Sequence, residues 1–183
     1  MPQYFHERDL PHYNPNDAPY FVTFSLFGHY ERELKLVKEG KMKFADYDRL
    51  LDNSARGPHH LKRADCAAIV QEKLNWLAEE VMTMHAFTIM SNHVHLLAAL
   101  KPDQDLGELL RVVKGTTARE CNRLLGLTGN TFWQSERYDR VLRWREHRVT
   151  FEYIMNNPVK AGIVKHWREH PWTYVNEKLH FVP

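Results

Sequence analysis

Apolar positions change their period along the chain, and the changes mark out the elements. In "YFVTFSLFG" (20–28) bulky aromatic and branched residues alternate with small ones up to Gly28, which predicts a first strand. From Arg63 to Val81 the apolar residues Ala67, Ile69, Val70, Leu74, Leu77 and Val81 recur at helical spacing behind Asp65, a candidate N-cap. "MHAFTIM" and "HVHLLAAL" then read as two strands joined in a hairpin at Ser91-Asn92, with Pro102 ending the second. A second amphipathic helix is predicted over Leu106–Leu125, and a short strand around Tyr138–Arg143. A third helix is predicted from about Glu146 to Asn156, because Pro158 and Gly162 should stop it. Residues 1–19, with four prolines, read as an extended arm, and the charged stretch 29–63 as a peripheral helix and loop. The order strand, helix, strand, strand, helix, strand, helix predicts an α+β ferredoxin-like sandwich, an antiparallel sheet with helices packed on one face.

Bulk properties narrow the setting. A chain of 183 residues suits a single domain over 1–183 with a substantial core. No run approaches the roughly 20 apolar residues of a membrane span, and the opening residues lack the apolar core of a signal peptide, so a cytoplasmic protein is expected. Cys66 and Cys121, without a CxxC pair, offer neither a disulfide framework nor a thiolate zinc site. The net charge of +2 is mild but unevenly spread: residues 111–168 hold twelve Lys and Arg against five acids. The positive field therefore lies in the C-terminal half, as a polyanionic partner would require.

Chemistry enters with "MSNHVHLLAAL" (90–100). On a strand, His93 and His95 point to one face and Val94 and Leu96 to the other. Such a pair reads either as a structural pair or as half of a metal site. In "YIMNNPVKAG" (153–162) Tyr153 and Asn157 are four apart and share a helix face. Imidazoles and an amide oxygen suit Mg²⁺ or Mn²⁺, and a neighbouring tyrosine can attack phosphorus to give a covalent phosphotyrosine. The residue before a proline is biased away from helical dihedrals, so the spacing leaves Asn156 open as the better placed amide. Tyr138 is the rival nucleophile, without an amide four residues on. His59-His60, after Gly57-Pro58, reads as a loop facing solvent.

"MSNHVHLL", "KGTTARECNRLLG", "FWQSERYDRVLR" and "YIMNNPVKAGIV" stand in the order seen in the REP-associated tyrosine transposases, relatives of the smallest HUH-type insertion-sequence transposases. The chain resembles that family from "YFVTFSLFG" to "HPWTYV". The resemblance implies that His93 and His95 are metal ligands, Asn157 the third, and Tyr153 the nucleophile. It implies cleavage and rejoining of single-stranded DNA beside hairpin-forming palindromes, with a 5′-phosphotyrosine intermediate and a free 3′ hydroxyl. Many relatives have proline where Ser91 stands, a difference in the turn rather than the chemistry.

DNA contacts are expected where cations and flat side chains interleave. The candidates are Lys114, Arg119, Arg123, Trp133, Arg137, Arg140, Arg143 and Lys160, with Tyr138 and Trp144 among them. Single-stranded DNA with hairpin ends is the expected partner, bound by a monomer or a homodimer. Two other readings fit the same residues. One is a non-catalytic hairpin-binding regulator on this scaffold; the other is a tyrosine-independent metallo-phosphoesterase, which would leave the spacing of Tyr153 and Asn157 unexplained.

Overall fold

A computed structural model describes residues 4–7, 11–14 and 18–179. Within the predicted arm (1–19), β1 (Tyr4–Glu7) and β2 (Pro11–Asn14) pair antiparallel and Pro19 already opens β3; residues 1–3, 8–10 and 15–17 lie outside the described residues. The chain continues through β3 (Pro19–Ser25), α1 (Glu31–Lys38), α2 (Phe44–Asp52) and α3 (Ala64–Trp76), which runs on through a wider turn at Leu77–Val81. Next come β4 (Met82–Ile89), β5 (His93–Leu100), α4 (Leu106–Leu125), β6 (Tyr138–Val141), α5 (His147–Lys160) and β7 (Thr173–Val175). The five long-range strands form one antiparallel sheet in the order β6-β3-β5-β4-β7. The chain is thus an α+β sandwich on an open antiparallel sheet. Among the described residues no helix is long and apolar enough to cross a membrane.

Strand alternation divides the core. Tyr20, Val22 and Phe24 of β3 and Val94, Leu96 and Ala98 of β5 face α3 and α4, meeting Val70, Leu74, Leu110 and Val113 in the main apolar cluster. Asp105 caps α4, its carboxylate accepting the Glu108 N–H, and Gly126 ends that helix in the left-handed region. The opposite face presents Phe21, Thr23 and Ser25, paired in register with Leu97, His95 and His93. Across it lies α5, whose Ile154 and Met155 pack on Phe21, Ala86 and Leu97. The pair α3/α4 therefore covers one face, and α5 with α2 covers the other.

Two segments differ from their sequence patterns. α5 does not stop at Asn156 but runs to Lys160 with Pro158 inside it. Proline removes one backbone donor there, and burial of Ile154, Met155 and Pro158 against the sheet outweighs that loss. The stretch 29–63 is not a peripheral helix and loop: α1 and α2 form their own core through Leu34, Val37, Tyr47 and Leu51. Phe44 on α2 stacks on Tyr138 at 4.3 Å between ring centroids and meets Phe21 edge-on at 5.1 Å. At the other end of α2, the Asn92 side-chain amide donates to the Leu51 carbonyl at 3.0 Å, satisfying a helix-terminal acceptor. α2 is thereby fixed at both ends over the histidine face.

Candidate active site

The β5 backbone sets His93 and His95 side by side, their Nε2 atoms 3.1 Å apart and both rings fully buried. Each ring is held by its other nitrogen. Asn92 Nδ2 is committed to Leu51, so its Oδ1 accepts from His93 Nδ1 at 2.7 Å; His93 therefore carries its proton on Nδ1 and offers a lone pair at Nε2. His95 Nδ1 lies 2.7 Å from the Thr23 hydroxyl of its cross-strand partner. Burial, with the neighbouring His95, pushes the His93 imidazole down to about 3, so it is neutral at physiological pH. Two oriented imidazoles whose Nε2 atoms meet at one point are the arrangement metal ligation requires.

Asp48 on α2 completes the group. Its Oδ1 lies 3.1 Å from His95 Nε2 and 3.9 Å from His93 Nε2, and its Oδ2 accepts from the Tyr153 hydroxyl and from Asn157 Nδ2, the latter at 3.1 Å. One helical turn on, Asp52 Oδ1 is 3.7 Å from His93 Nε2. Burial raises the Asp48 carboxyl, but the facing histidines and Tyr153 outweigh it and hold the group ionised, well below the usual carboxylate range. Burial and the charge on Asp48 raise Asp52 to about 7. The same two causes push the Tyr153 phenol well above its ordinary range.

The donor set fits a divalent cation. Asp48, His93 and His95 each offer a ligand atom within 4.8 Å of the others, and this buried group could bind a metal ion. Three buried oxygens here, Asp48 Oδ1, Asp52 Oδ1 and Asn157 Oδ1, accept no hydrogen bond of good geometry. Buried oxygens left open beside two imidazoles are costly without a cation and natural with one. Imidazole and carboxylate donors together are a ligand set for a divalent cation.

Of the residues predicted from sequence, the fold brings together His93, His95, Tyr153 and Asn157. Because α5 is longer, Asn157 is fully buried beside Asp48, whereas Asn156 is exposed and donates to the Glu152 carbonyl. Lys160 sits over the Tyr153 ring at 4.1 Å, and exposed Arg140 lines a small cleft with Tyr153 while pairing with Glu146 at 2.7 Å. Arg143 is exposed near by. Arg119 and Arg123 are exposed on α4, across the sheet from the site. Three other candidates are taken up by the fold itself. Trp133 is a core residue whose Nε1 donates to Thr117, Lys114 donates to the carbonyls of Gln134 and Ser135, and buried Arg137 pairs with Asp139 at 3.1 Å. The Trp144 side chain lies outside the described residues.

Asp48 and Asp52 escaped the sequence reading. Their i, i+4 spacing in "FADYDRLLD" was a usable signal, but it is also that of any solvated helix face, and only the fold turns it inward. His59 is likewise not a free loop residue: its Nδ1 lies 2.8 Å from the Ser91 hydroxyl, and His60 stacks on Phe132.

Residues 60–157 match the model of the IS200-like transposases, a span that holds both histidines, Tyr153 and Asn157. The chain belongs to that family of DNA-processing proteins. Its fold is similar to that of a REP-associated tyrosine transposase solved bound to a REP hairpin, with a TM-score of 0.60 at 19% identity over 94% of this chain and 82% of that one. A crystal structure of a transposase from Deinococcus radiodurans aligns with a TM-score of 0.38 at 17% identity over 76% of this chain and 89% of that one. No curated protein matches the chain significantly. The matched family span begins after α2, so the carboxylates of Asp48 and Asp52 stand outside it.

Proposed function

We propose that the protein is a metal-dependent single-stranded DNA transesterase in which Tyr153 cleaves and rejoins DNA beside a hairpin. The observation that carries this reading is the juxtaposition of the Tyr153 hydroxyl, through Asp48, with the paired Nε2 atoms of His93 and His95. His93, His95 and Asp48 would hold Mg²⁺ or Mn²⁺, with Asn157 Oδ1 available as a further oxygen. When bound, the cation supplies Lewis-acid stabilisation of the phosphate and offsets the negative charge of the two carboxylates.

The remaining steps belong to the chain's own residues. Tyr153 Oη attacks phosphorus, the new Oη–P bond forms as the P–O3′ bond breaks, and the departing 3′ oxygen becomes a hydroxyl. Asp48 Oδ2, already the acceptor of the phenol, takes its proton, and the 3′ oxygen, departing on the opposite side of phosphorus, takes its own from solvent. The 5′-phosphotyrosine conserves the bond energy, so rejoining by a free 3′ hydroxyl is the same displacement reversed. Lys160 and Arg140 hold neighbouring phosphates, and Arg143 extends the positive surface beside them, whereas Arg119 and Arg123 on the far face would meet DNA only beyond the site. Tyr153 meets the histidines of its own chain, which supports action in cis and a monomer as the working unit. The hairpin preference rests on the fold shared with the hairpin-bound transposase, and a cytoplasmic setting is consistent with a DNA substrate.

Incubation with hairpin-bearing single-stranded DNA, labelled at either end, tests this reading. The expected products are a free-3′-hydroxyl fragment and a protein-linked 5′ fragment, both abolished by EDTA and restored by Mn²⁺. Binding without cleavage under all metal conditions would instead establish the hairpin-binding regulator.

A further inference from the structure

Three elements run side by side past the site in the same sense. α2 presents Phe44, then Asp48, then Asp52; α5 presents Val149, Tyr153, Asn157 and Ala161; β5, read backward, presents Leu97, His95 and His93. A cleft opens at each end of this track. The smaller, of about 310 Å³, lies on the Tyr153 side between Phe44, Tyr138 and Arg140. The larger, of about 650 Å³, starts at Asp52 and His93 and widens under the β4–β5 turn. Neither the metal ligation nor the tyrosine chemistry uses the larger cleft.

We propose that the larger cleft is a nucleobase pocket for the nucleotide immediately 5′ of the scissile phosphate, the one that departs with the free 3′ hydroxyl. The proposal rests on the transesterase reading for its direction. Displacement at phosphorus is in line, so the leaving 3′ oxygen lies opposite Tyr153 Oη. Tyr153 stands at the small-cleft end of the track and His93 at the other, which puts the departing nucleotide beyond His93. The lining fits an unstacked base. Met90 and Trp172 give an apolar, partly aromatic wall, and His59 and Ser91, bonded to each other at 2.8 Å, give polar groups for a base edge. Exposed Lys62 and Ile163 stand at its rim, the lysine placed to meet the backbone phosphate of the next nucleotide out. The volume lies within the range of small-ligand pockets, roughly 300–1,000 Å³. A strand seated in both clefts crosses between them at the Asp48–Tyr153 contact, which brings its phosphate beside the phenol.

Three measurements on this chain test the assignment. In the first, single-stranded DNA carrying one 4-thiothymidine, stepped along the sequence, is photo-crosslinked and the attached peptide identified by mass spectrometry. The residue 5′ of the cleaved phosphate is expected to mark peptides containing residues 59–62, 89–91 or 172. In the second, an abasic site at that position is expected to slow adduct formation about tenfold or more, as loss of a stacked base does. Ile163→Glu, exposed and outside the chemistry, is expected to raise KM while kcat holds. Adduct formation indifferent to the abasic site and to Ile163→Glu, or crosslinks confined to α4, would overturn the pocket and leave the transesterase intact. Crosslinks in the cleft without any adduct would keep the pocket and overturn the transesterase. Absence of both would overturn the two together.

Discussion

The two faces of the central sheet are built from the same strands and are equally dry, yet they are held together by different forces. Toward α3 and α4, Val22, Phe24, Val94 and Leu96 are buried against aliphatic helix positions, and non-directional apolar burial is the main force. Toward α2 and α5, Thr23, His93, His95, Asp48 and Asn157 are just as buried, and each depends on a named partner at hydrogen-bond distance. A polar cluster this deep costs stability unless satisfied, and here three oxygens are left open. The contrast teaches that one face is arranged for the fold, whereas the other carries buried ligand atoms that the fold alone leaves open.

Breaking the polar face should cost activity before stability. His95→Ala removes one of the two imidazoles and is expected to lower metal-dependent cleavage by about a thousandfold or more, read as initial rate over a Mn²⁺ titration. Asp48→Asn keeps the shape but loses the charge that faces both His95 and Tyr153. It is expected to cut the rate by about 10- to 100-fold and weaken Mn²⁺ binding, measured by calorimetry. A rate rise in Asp48→Asn would instead make the carboxylate an obstacle to DNA.

Breaking the apolar face should do the reverse. Leu96→Ala, one residue from His95 but on the other side, is expected to cost about 2–5 kcal/mol in urea unfolding while leaving the metal requirement intact. The smallest effect sharpens the comparison further. Because Asp52 is raised to about 7, the folded protein holds a proton that the unfolded chain has released above about 4. Its contribution therefore declines as pH rises from about 4 to 7 and is gone above that. Asp52→Asn is expected to flatten this part of the metal-free stability profile, by about 1–3 kcal/mol at pH 8 relative to wild type. Bound Mn²⁺ is expected to make the same difference smaller.

The sequence carried the apolar face almost completely, because alternation in "YFVTFSLFG" and "HVHLLAAL" and the helical spacing from Leu106 to Leu125 are local signals. Local spacing also placed His93 with His95 and Tyr153 with Asn157. Proximity between those pairs came from family resemblance, and the fold alone makes it physical. Asp48 was illegible for the opposite reason: it is 45 residues from His93 in a charged helix whose inward face is decided by Phe44 and Leu51, not by its own pattern. Pro158 misled the reading of α5, since its helix-breaking cost is local while the packing that overrides it is tertiary. The same limit explains Trp133 and Arg137, which match a DNA-contact composition and are engaged inside the fold.

The central claim is that Tyr153 becomes covalently joined to a DNA 5′ phosphate at this site. Mass spectrometry of nuclease-trimmed, proteolysed adduct from wild type and Tyr153→Phe in Mn²⁺ tests it most directly. A nucleotide carried on the Tyr153 peptide in wild type, and no adduct in Tyr153→Phe with its fold and DNA binding retained, is the predicted result. Attachment through Tyr138 or another residue, or cleavage that survives Tyr153→Phe, would contradict it.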